Sequence, residues 1–207
     1  ENLINDKSGY IQTVDLSSAS TAPDNRPAVQ ADTALAGGAN GISDITDTDF
    51  IGSSAVRSGL YALDEIDEVN SLAVPGRSSQ VMVQAGLDYC AGRGDCGFIP
   101  DCAEGLTPQE AKTFRELFDS SYGYYYYPRI KINDPLSKTV KVIPPSGHLM
   151  GLFGRSDSER GVHKAPANEP IMGALDVVYR VSDAEQGELN KNGVNCIRYF
   201  GRQGVLA

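Results

Sequence analysis

The sequence predicts an α/β fold in which a mixed β-sheet is flanked by helices, preceded by an N-terminal β/loop remnant of a further lobe. Two observations support this prediction. Segments with helical apolar spacing alternate with short runs of β-branched and aromatic residues, and helix-start signals recur between those runs. The 207 residues are 41% hydrophobic and 22% charged, which is enough apolar material for a core without cross-links.

The first 35 residues differ in composition from the rest of the chain. They are rich in Ser, Thr, Asp, Asn and Pro, with one strand-like run at residues 10–14. We expect residues 1–35 to be a remnant of a preceding β-rich lobe or a linker, and residues 36–207 to form one α/β core domain. The chain begins with Glu1 rather than Met, so we also expect a fragment of a longer protein.

Five segments carry helix signals. Thr107 and Glu110 have the spacing of a capping box, and Pro108 occupies the first helical position. Ser182 and Glu185 repeat this spacing. The expected helices start at Gly59, at Ser78 or Ser79, at Thr107, at Ser146 as a cap, and at Ser182. The apolar residues of the first four, in chain order, are Leu60, Leu63, Ile66 and Val69 for the first helix; Met82, Ala85 and Tyr89 for the second; Ala111, Phe114, Leu117 and Phe118 for the third; and Leu149, Leu152 and Phe153 for the fourth.

Strands are predicted where β-branched and aromatic residues cluster. Residues 122–132 form the densest run, and Pro128 within it indicates an edge or a bulge. Asn133-Asp134-Pro135 is a predicted turn, and Pro144-Pro145 ends the following strand. The expected strands cover residues 96–100, 122–132, 139–143, 174–181 and 194–200.

Several classes of chemistry are disfavoured. The 18 Lys and Arg against 27 Asp and Glu leave a net charge of −9, which argues against binding nucleic acid or a membrane surface. The four cysteines lack a Cys-x-x-Cys pair, His148 and His163 lack metal-binding partners, and neither a phosphate-binding loop nor Gly-x-Ser-x-Gly occurs. We therefore predict buried thiols in an intracellular protein, with no catalytic, cofactor-binding or metal-binding residues.

Three other interpretations stay open. An enzyme or ligand-binding site could assemble without a linear motif, for example around Asp134, His148 and Asp157. The tyrosines of residues 122–127 could stack on sugars in a host-attachment domain, although a sheet face or subunit contact is favoured. Arg93-Gly94-Asp95 matches a cell-adhesion tripeptide, but so short a match arises readily by chance.

A set of Gly, Pro and Asn motifs remains, and in their order these motifs resemble the sheath protein of contractile bacteriophage tails. The last of them, Gly161-Val162-His163-Lys164-Ala165-Pro166-Ala167-Asn168, is similar to a family signature that usually has an aromatic residue, often Trp, in place of His163. The resemblance covers about residues 35–203. Its segments are residues 35–41, 49–52, 59–63 with 73–76, 126–128 with 142–148, 151–168, and 189–198.

The resemblance implies a structural subunit that polymerises around the tail tube and contracts to drive it through the host envelope, in a phage or a related contractile system. It implies sheath subunits, tail tube and baseplate proteins as partners, a virion location after synthesis in the host cytoplasm, and no cofactor. It also implies that a C-terminal domain and linking arm are absent, so that the chain alone is monomeric. The residues that match the family motifs, all with structural roles, are Gly37, Gly38, Gly41, Gly52, Pro75, Gly76, Tyr127, Pro128, Pro144, Pro145, Ser146, Gly147, Gly161, Lys164, Pro166, Asn168, Asn190, Gly193, Asn195 and Arg198.

Overall fold

A computed structural model describes residues 41–207. Contacts divide the chain into two units, Glu1–Ser43 and Asp44–Ala207, and the second unit contains every α-helix and strand of the described residues. The strand expected at residues 10–14 and the turn containing Gly37 and Gly38 lie outside the described residues. The boundary expected between residues 35 and 36 therefore stays a prediction.

Helices and short strands alternate along the described chain, as expected. The α-helices are α1 (Asp47–Ile51), α2 (Gln80–Arg93), α3 (Pro108–Arg115), α4 (Ser146–Arg160) and α5 (Asp183–Lys191), and 3₁₀ helices cover Ile42–Asp44, Gly59–Glu65 and Gly201–Gln203. The strands are β1 (Ser71–Leu72), β2 (Gly97–Phe98), β3 (Tyr126–Tyr127), β4 (Ile130–Asn133), β5 (Val140–Ile143), β6 (Ala174–Val177), β7 (Asn195–Cys196), β8 (Arg198–Tyr199) and β9 (Val205–Leu206).

Parallel and antiparallel pairings both occur, which confirms the mixed α/β class, but within residues 41–207 the strands form four small sheets. Strands β1 and β2 are parallel, as are β3 and β7. Strand β4 lies between β5 and β6, antiparallel to both, with a bulge at Lys131 and Ile132 on the β6 side. Strands β8 and β9 form an antiparallel pair.

Local capping chemistry explains where three helices begin. The Ser79 hydroxyl accepts a hydrogen bond from the Met82 amide at the start of α2. Thr107 with Glu110 at α3, and Ser182 with Glu185 at α5, form complete capping boxes. Each box satisfies backbone N–H groups that have no partner within the helix. The capping signals in the sequence are therefore confirmed at α2, α3 and α5.

Other expectations about helices need correction. The segment at Gly59 is a 3₁₀ helix that ends at Glu65, and its apolar steps of three residues fit a helix with three residues per turn. Leu117 lies beyond the end of α3 at Arg115 and is 51% exposed, so it does not belong to the buried stripe of that helix. Ser146 is the first residue of α4 rather than its cap, and Pro145 occupies the cap position. An additional helix, α1, begins at Asp47, and it is not among the five helices expected from the sequence.

Two of the predicted strands are each divided. In residues 122–132, the Tyr127-Pro128 bond is cis, and the residues on its two sides pair with different strands. Residues 194–200 likewise split into β7 and β8, with buried Ile197 between them. Pro128 thus marks a break between two strands of different sheets, where the sequence indicated an edge or a bulge.

The buried side chains of residues 41–207 fall into three clusters. Helix α2 packs against β1 and β2, helix α4 packs near β4, β6 and β9, and helices α3 and α5 enclose part of the tyrosine run. Tyr126 belongs to the α4 cluster, whereas Tyr125 and Tyr127 belong to the cluster of α3 and α5, as alternation along an extended chain requires. The tyrosine run therefore joins two parts of the core, and the preference for a sheet position over an exposed sugar-stacking surface is supported for these three rings.

Candidate functional site

The most deeply buried acidic group of residues 41–207 joins two of the family motifs. Asp101 is only 1% exposed and lies in the loop after β2. Its Oδ2 accepts hydrogen bonds from the Gly76 amide at 3.0 Å and the Ser146 hydroxyl at 2.9 Å, while Oδ1 accepts from the Ser146 amide at 3.1 Å. We call this arrangement of Gly76, Asp101 and Ser146 the Asp101 junction.

Both partners of Asp101 are positioned by their local sequence. Val74 accepts a hydrogen bond from the Arg77 amide at 3.1 Å across Pro75-Gly76. Gly76 has φ of +83°, so a turn with Pro followed by Gly suits this backbone and directs the Gly76 amide towards Asp101. On the other side, Ser146 begins α4, and its amide is one of the N–H groups that a helix cannot satisfy itself. The sequence indicated Ser146 as the cap of α4, but the Asp101 carboxyl group is the acceptor for this free amide.

The electrostatics of the junction reflect burial. Burial raises the pKa of Asp101 above its ordinary value, while hydrogen bonds from Gly76 and Ser146 and the charge of Arg129 act in the opposite direction. The positive end of the α4 dipole also favours the ionised carboxyl group. Both carboxyl oxygens are engaged by the protein itself, so the junction fixes loops to one another and presents no group for proton transfer to a ligand.

Gly52 and Gly59 lie in contact and close the loop between them. A Cβ atom on Gly52 would lie 1.9 Å from the Ser58 carbonyl oxygen, and Gly52 has φ of +68° and ψ of −155°. That backbone region is accessible essentially to glycine alone. Across the loop, the Ser58 amide donates to the Ser53 carbonyl at 3.1 Å, and the Ser53 amide donates to the Ser58 hydroxyl at 3.1 Å. Gly52 is thus required for the close approach of Gly59 and the loop that they enclose.

The signature at residues 161–168 is organised by Lys164. Its Nζ donates to the carbonyl oxygens of Ala165 and Ala167, at 2.8 and 3.4 Å, and pairs with the Glu169 carboxyl group at 3.0 Å. This contact holds the pKa of Glu169 below its ordinary value. The Asn168 amide donates to the Ala207 carbonyl at 2.6 Å, which ties the signature to the residue after β9. His163, at the position where the family has an aromatic residue, is exposed.

The C-terminal motif residues support α5 and β7. The Gly193 amide donates to the Asn190 carbonyl at 3.1 Å, where α5 ends. Asn195 contacts the Tyr125 carbonyl through both its amide nitrogens, at 2.9 Å from the backbone and 3.2 Å from the side chain. Arg198 pairs with Asp183 at 2.8 Å and donates to the side chain of Gln186. The Arg198 contacts hold α5 against β8, and the Asn195 contacts hold β7 beside the tyrosine run.

The remaining motif residues have simpler placements. The Tyr127 hydroxyl donates to the Leu106 carbonyl at 2.8 Å, and its ring is buried beside the cis Pro128. Pro144 and Pro145 lead into α4, and Gly147 lies on the exposed face of its first turn. Gly41 and Pro166 lie in loops, and Gly161 follows the last residue of α4. The structure therefore brings Pro75-Gly76 and Pro145-Ser146 together at Asp101, Gly52 against Gly59, and Tyr127 beside the strand that contains Asn195.

The alternative enzymatic site is not assembled. His148 and Asp157 both lie on α4, nine residues apart, so about 14 Å separates their backbones along the helix. Asp134 lies in the turn between β4 and β5, where it accepts hydrogen bonds from Leu136 and Ser137. Within residues 41–207, no hydrogen bond or ion pair joins these three residues, and no cluster of His, Cys, Asp and Glu in that part of the chain could hold a metal ion.

Arg93-Gly94-Asp95 has an internal structural role. Arg93 donates from Nε and Nη2 to the two carboxyl oxygens of Asp95, both at 2.8 Å, and also to the carbonyl oxygens of Leu63 and Ile66 at 2.6 and 2.7 Å. The guanidinium group therefore connects the end of α2 to the end of the 3₁₀ helix at Gly59–Glu65.

Among the described residues, no helix has the length and apolar content needed to cross a membrane.

Sequence reasoning missed Asp101, which is the central residue of this framework. The available signal was an acidic residue directly after the predicted strand at residues 96–100, all five of which are buried in the structure. An acid in that position either faces solvent or requires buried donors. The donors come from segments 25 and 45 residues away, so sequence spacing alone could not identify them.

Comparisons with known proteins agree on one family. The model of the phage tail sheath protein central domain matches residues 38–206. The major tail sheath protein of Serratia phage KSP20 is 29% identical over 97 residues, which cover 44% of this chain and 25% of the phage protein. This chain therefore spans only a quarter of that relative.

Solved structures give the same result. The helical sheath of the anti-feeding prophage in its contracted state is similar, with 30% identity, a TM-score of 0.55, and coverage of 75% of this chain and 43% of the other. The sheath complex of an extracellular contractile injection system, PVC, in its contracted state has 27% identity, a TM-score of 0.53, and coverage of 72% and 42%. With the family model matched over residues 38–206, these likenesses show that the chain belongs to the phage tail sheath protein family, of which it contains the central domain.

Proposed function

We propose that this chain is the central body of a contractile tail sheath subunit, a structural component that polymerises around the tail tube and contracts to drive the tube through the host envelope. The observation that carries the proposal is the family match over residues 38–206. Similarity to sheaths in their contracted state supports it. The sheath of a related contractile injection system is the alternative within the same class.

Contraction requires a subunit that stays rigid while its contacts with neighbours change. The described unit has features suited to this role. Two of the three buried clusters of residues 41–207 are linked through the tyrosine run, and the Asp101 junction fixes the start of α4 to the loops after β1 and β2. Because a buried carboxyl group with three donors is costly to disconnect, these elements move together.

The proposed partners are other sheath subunits, the tail tube and baseplate proteins. Sheath subunits are supported by the two similar structures, both of which are sheath assemblies. Large apolar side chains on the described surface provide candidate contact points. Leu136 is 91% exposed at the turn between β4 and β5, and Val162 is 86% exposed after α4. Such side chains are commonly covered in assemblies.

The proposed role is structural and not enzymatic. Two motif residues, Gly76 and Ser146, bind the buried Asp101 and no external group is needed to satisfy them. His148 and Asp157 stand far apart on α4. The charge of −9 supports a body that does not bind nucleic acid. We further propose a location in the virion after synthesis in the host cytoplasm, without membrane insertion.

The chain alone is proposed to be monomeric. It spans 42–43% of the sheath chains that it resembles, so most of each of those chains has no counterpart here. Sedimentation velocity of the 207-residue chain tests this statement: a single species of about one chain mass is expected. Large polymers in the same buffer would contradict it.

Electron microscopy of the full-length gene product tests the sheath function. Expressed with its cognate tail tube protein, the product is expected to form hollow helical cylinders around the tube. The chain of residues 1–207 serves as the matched control and is expected to form none. A full-length product that stays monomeric beside assembled tail tubes would contradict the proposal.

A further inference from the structure

Two of the four thiols lie against each other in the first core cluster. Cys90 lies in the last turns of α2, and Cys96 immediately precedes β2. Their sulfur atoms are 3.4 Å apart, and the residues are 0% and 5% exposed. Neither Cys102 nor Cys196 has a comparable sulfur contact among the described residues.

The backbone between the two thiols is held in place. The Gly94 amide donates to the Cys90 carbonyl at 2.9 Å, which ends α2, and Arg93 binds both carboxyl oxygens of Asp95. The connection between the two cysteines is therefore only five residues long, and hydrogen bonds hold it at Gly94 and Asp95. Closing the remaining gap to a covalent sulfur–sulfur bond of about 2 Å requires a small side-chain adjustment rather than a rearrangement of helix and strand.

We infer that Cys90 and Cys96 form a modification site, at which a small-molecule disulfide such as oxidised glutathione converts the two thiols into an intramolecular disulfide. One cysteine thiolate attacks the glutathione disulfide, forms a mixed disulfide and releases one glutathione. The second thiolate then attacks the protein sulfur of that mixed disulfide and releases the other glutathione. Both cysteines are oxidised, one glutathione disulfide is reduced to two thiols, and the two protein protons end on the glutathione sulfurs.

The contact between the Cys90 and Cys96 sulfurs distinguishes these two thiols from Cys102 and Cys196. Burial raises the pKa of Cys90, Cys102 and Cys196 alike, so the thiolate content does not distinguish Cys90 from the other two. The paired residues are 0% and 5% exposed, so their reaction with glutathione disulfide requires local opening of this core cluster and is slow. Only Cys90 and Cys96 have a partner sulfur, among the described residues, with which to complete the second step. An oxidising environment outside the cell would favour the product.

The bond would connect the end of α2 to the start of β2 within one core cluster. Because it closes a short loop that the native structure already forms, it restricts the unfolded chain without changing the folded one. This inference concerns an internal site, so it stands independently of the sheath function.

Intact-mass spectrometry of the folded 207-residue chain, incubated with oxidised glutathione, tests the inference. The expected result is loss of two hydrogen atoms, and peptide mapping is expected to place the link between Cys90 and Cys96. Cys102→Ser, the matched control, should lose the same two hydrogens. Cys90→Ser and Cys96→Ser should lose none.

A second measurement covers the case in which a serine variant does not fold. The unaltered chain is equilibrated in glutathione buffers of graded redox poise. At each step the oxidised fraction is measured by thiol alkylation and mass spectrometry, and the far-ultraviolet circular dichroism spectrum is recorded. A single two-electron transition with an unchanged spectrum supports the site. A chain that carries only glutathione adducts, links Cys102 or Cys196, or stays fully reduced across the series would overturn the inference.

Discussion

Asp101 binds both the amide and the hydroxyl of Ser146, at 3.1 and 2.9 Å, although 45 residues separate them in the chain. The same carboxyl group binds the Gly76 amide from the other side. The start of α4 therefore depends on a residue outside it. Two loops that match family motifs are fixed to each other through a third residue that matches none.

Asp101→Asn tests the junction. The amide keeps one acceptor oxygen but places an NH₂ group against existing donors, so we expect a loss of about 2–3 kcal/mol in the free energy of unfolding. Urea denaturation measures this change. Asp157→Asn, on the exposed face of α4, is the matched control and should alter stability by less than about 0.5 kcal/mol. Equal effects from the two variants would show that the junction contributes nothing specific.

Gly52→Ala tests the glycine contact. Its Cβ would meet the Ser58 carbonyl oxygen at 1.9 Å, and its backbone region excludes other residues, so we expect a loss of at least about 2 kcal/mol. Gly147→Ala is the control, because no atom lies within 4 Å of its added Cβ in the first turn of α4. That variant should gain roughly 0.5 kcal/mol from helix propensity. Thermal melting that leaves Gly52→Ala as stable as the unaltered chain would contradict the expectation.

Glu185 gives a prediction about pH. The Tyr179 hydroxyl, with the Ser182 amide and hydroxyl, holds the pKa of Glu185 below its ordinary value of 4.5. Since the folded protein releases this proton more readily than the unfolded chain, Glu185 stabilises the fold above about pH 4.5 and loses that effect as the pH falls through the folded pKa. The stability difference between the unaltered chain and Glu185→Gln should therefore narrow in urea titrations from pH 7 to pH 3.

Glu188→Gln is the control for this titration. Glu188 lies on the same helix, is exposed, and pairs with Lys191 at 3.2 Å at the surface. We expect Glu188→Gln to cost little at any pH in this range. A difference for Glu185→Gln that widens as the pH falls would reverse the sign of the prediction.

Lys164→Met tests the organisation of residues 161–168. Removal of the ammonium group takes away the first cause of the lowered Glu169 pKa, so that pKa should rise towards 4.5. Carbon-13 NMR titration of the Glu169 carboxyl group measures the change. Lys191→Met, at an exposed position on α5, should leave it unaltered. A Glu169 pKa unaffected by Lys164→Met would show that the 3.0 Å contact does not persist in solution.

The parts of the fold that sequence could predict depend on neighbours in the chain. Thr107 with Glu110 and Ser182 with Glu185 are three residues apart, so each pair carries its whole interaction within one turn of helix. The same reasoning failed at Ser146, where the hydroxyl could have capped α4 but binds Asp101 instead. Local spacing cannot distinguish these two outcomes.

The division of the strands also depended on distant residues. Residues 122–132 have continuous strand composition, yet Tyr126 and Tyr127 pair with β7 while Ile130 begins pairing with β5 and β6. Pro128 marked the position of the break but not the change of partner. The Gly52 contact is similar, because its need for glycine arises from Ser58 and Gly59 across the loop.

Cryo-electron microscopy of the full-length gene product in its extended and contracted assemblies tests the central claim most directly. We predict that residues 44–207 superpose as one rigid body in both states, with the Asp101 carboxyl group within hydrogen-bond distance of Ser146 and Gly76 in each. Rearrangement of this unit between the two states, with the Asp101 junction broken in one of them, would contradict the claim.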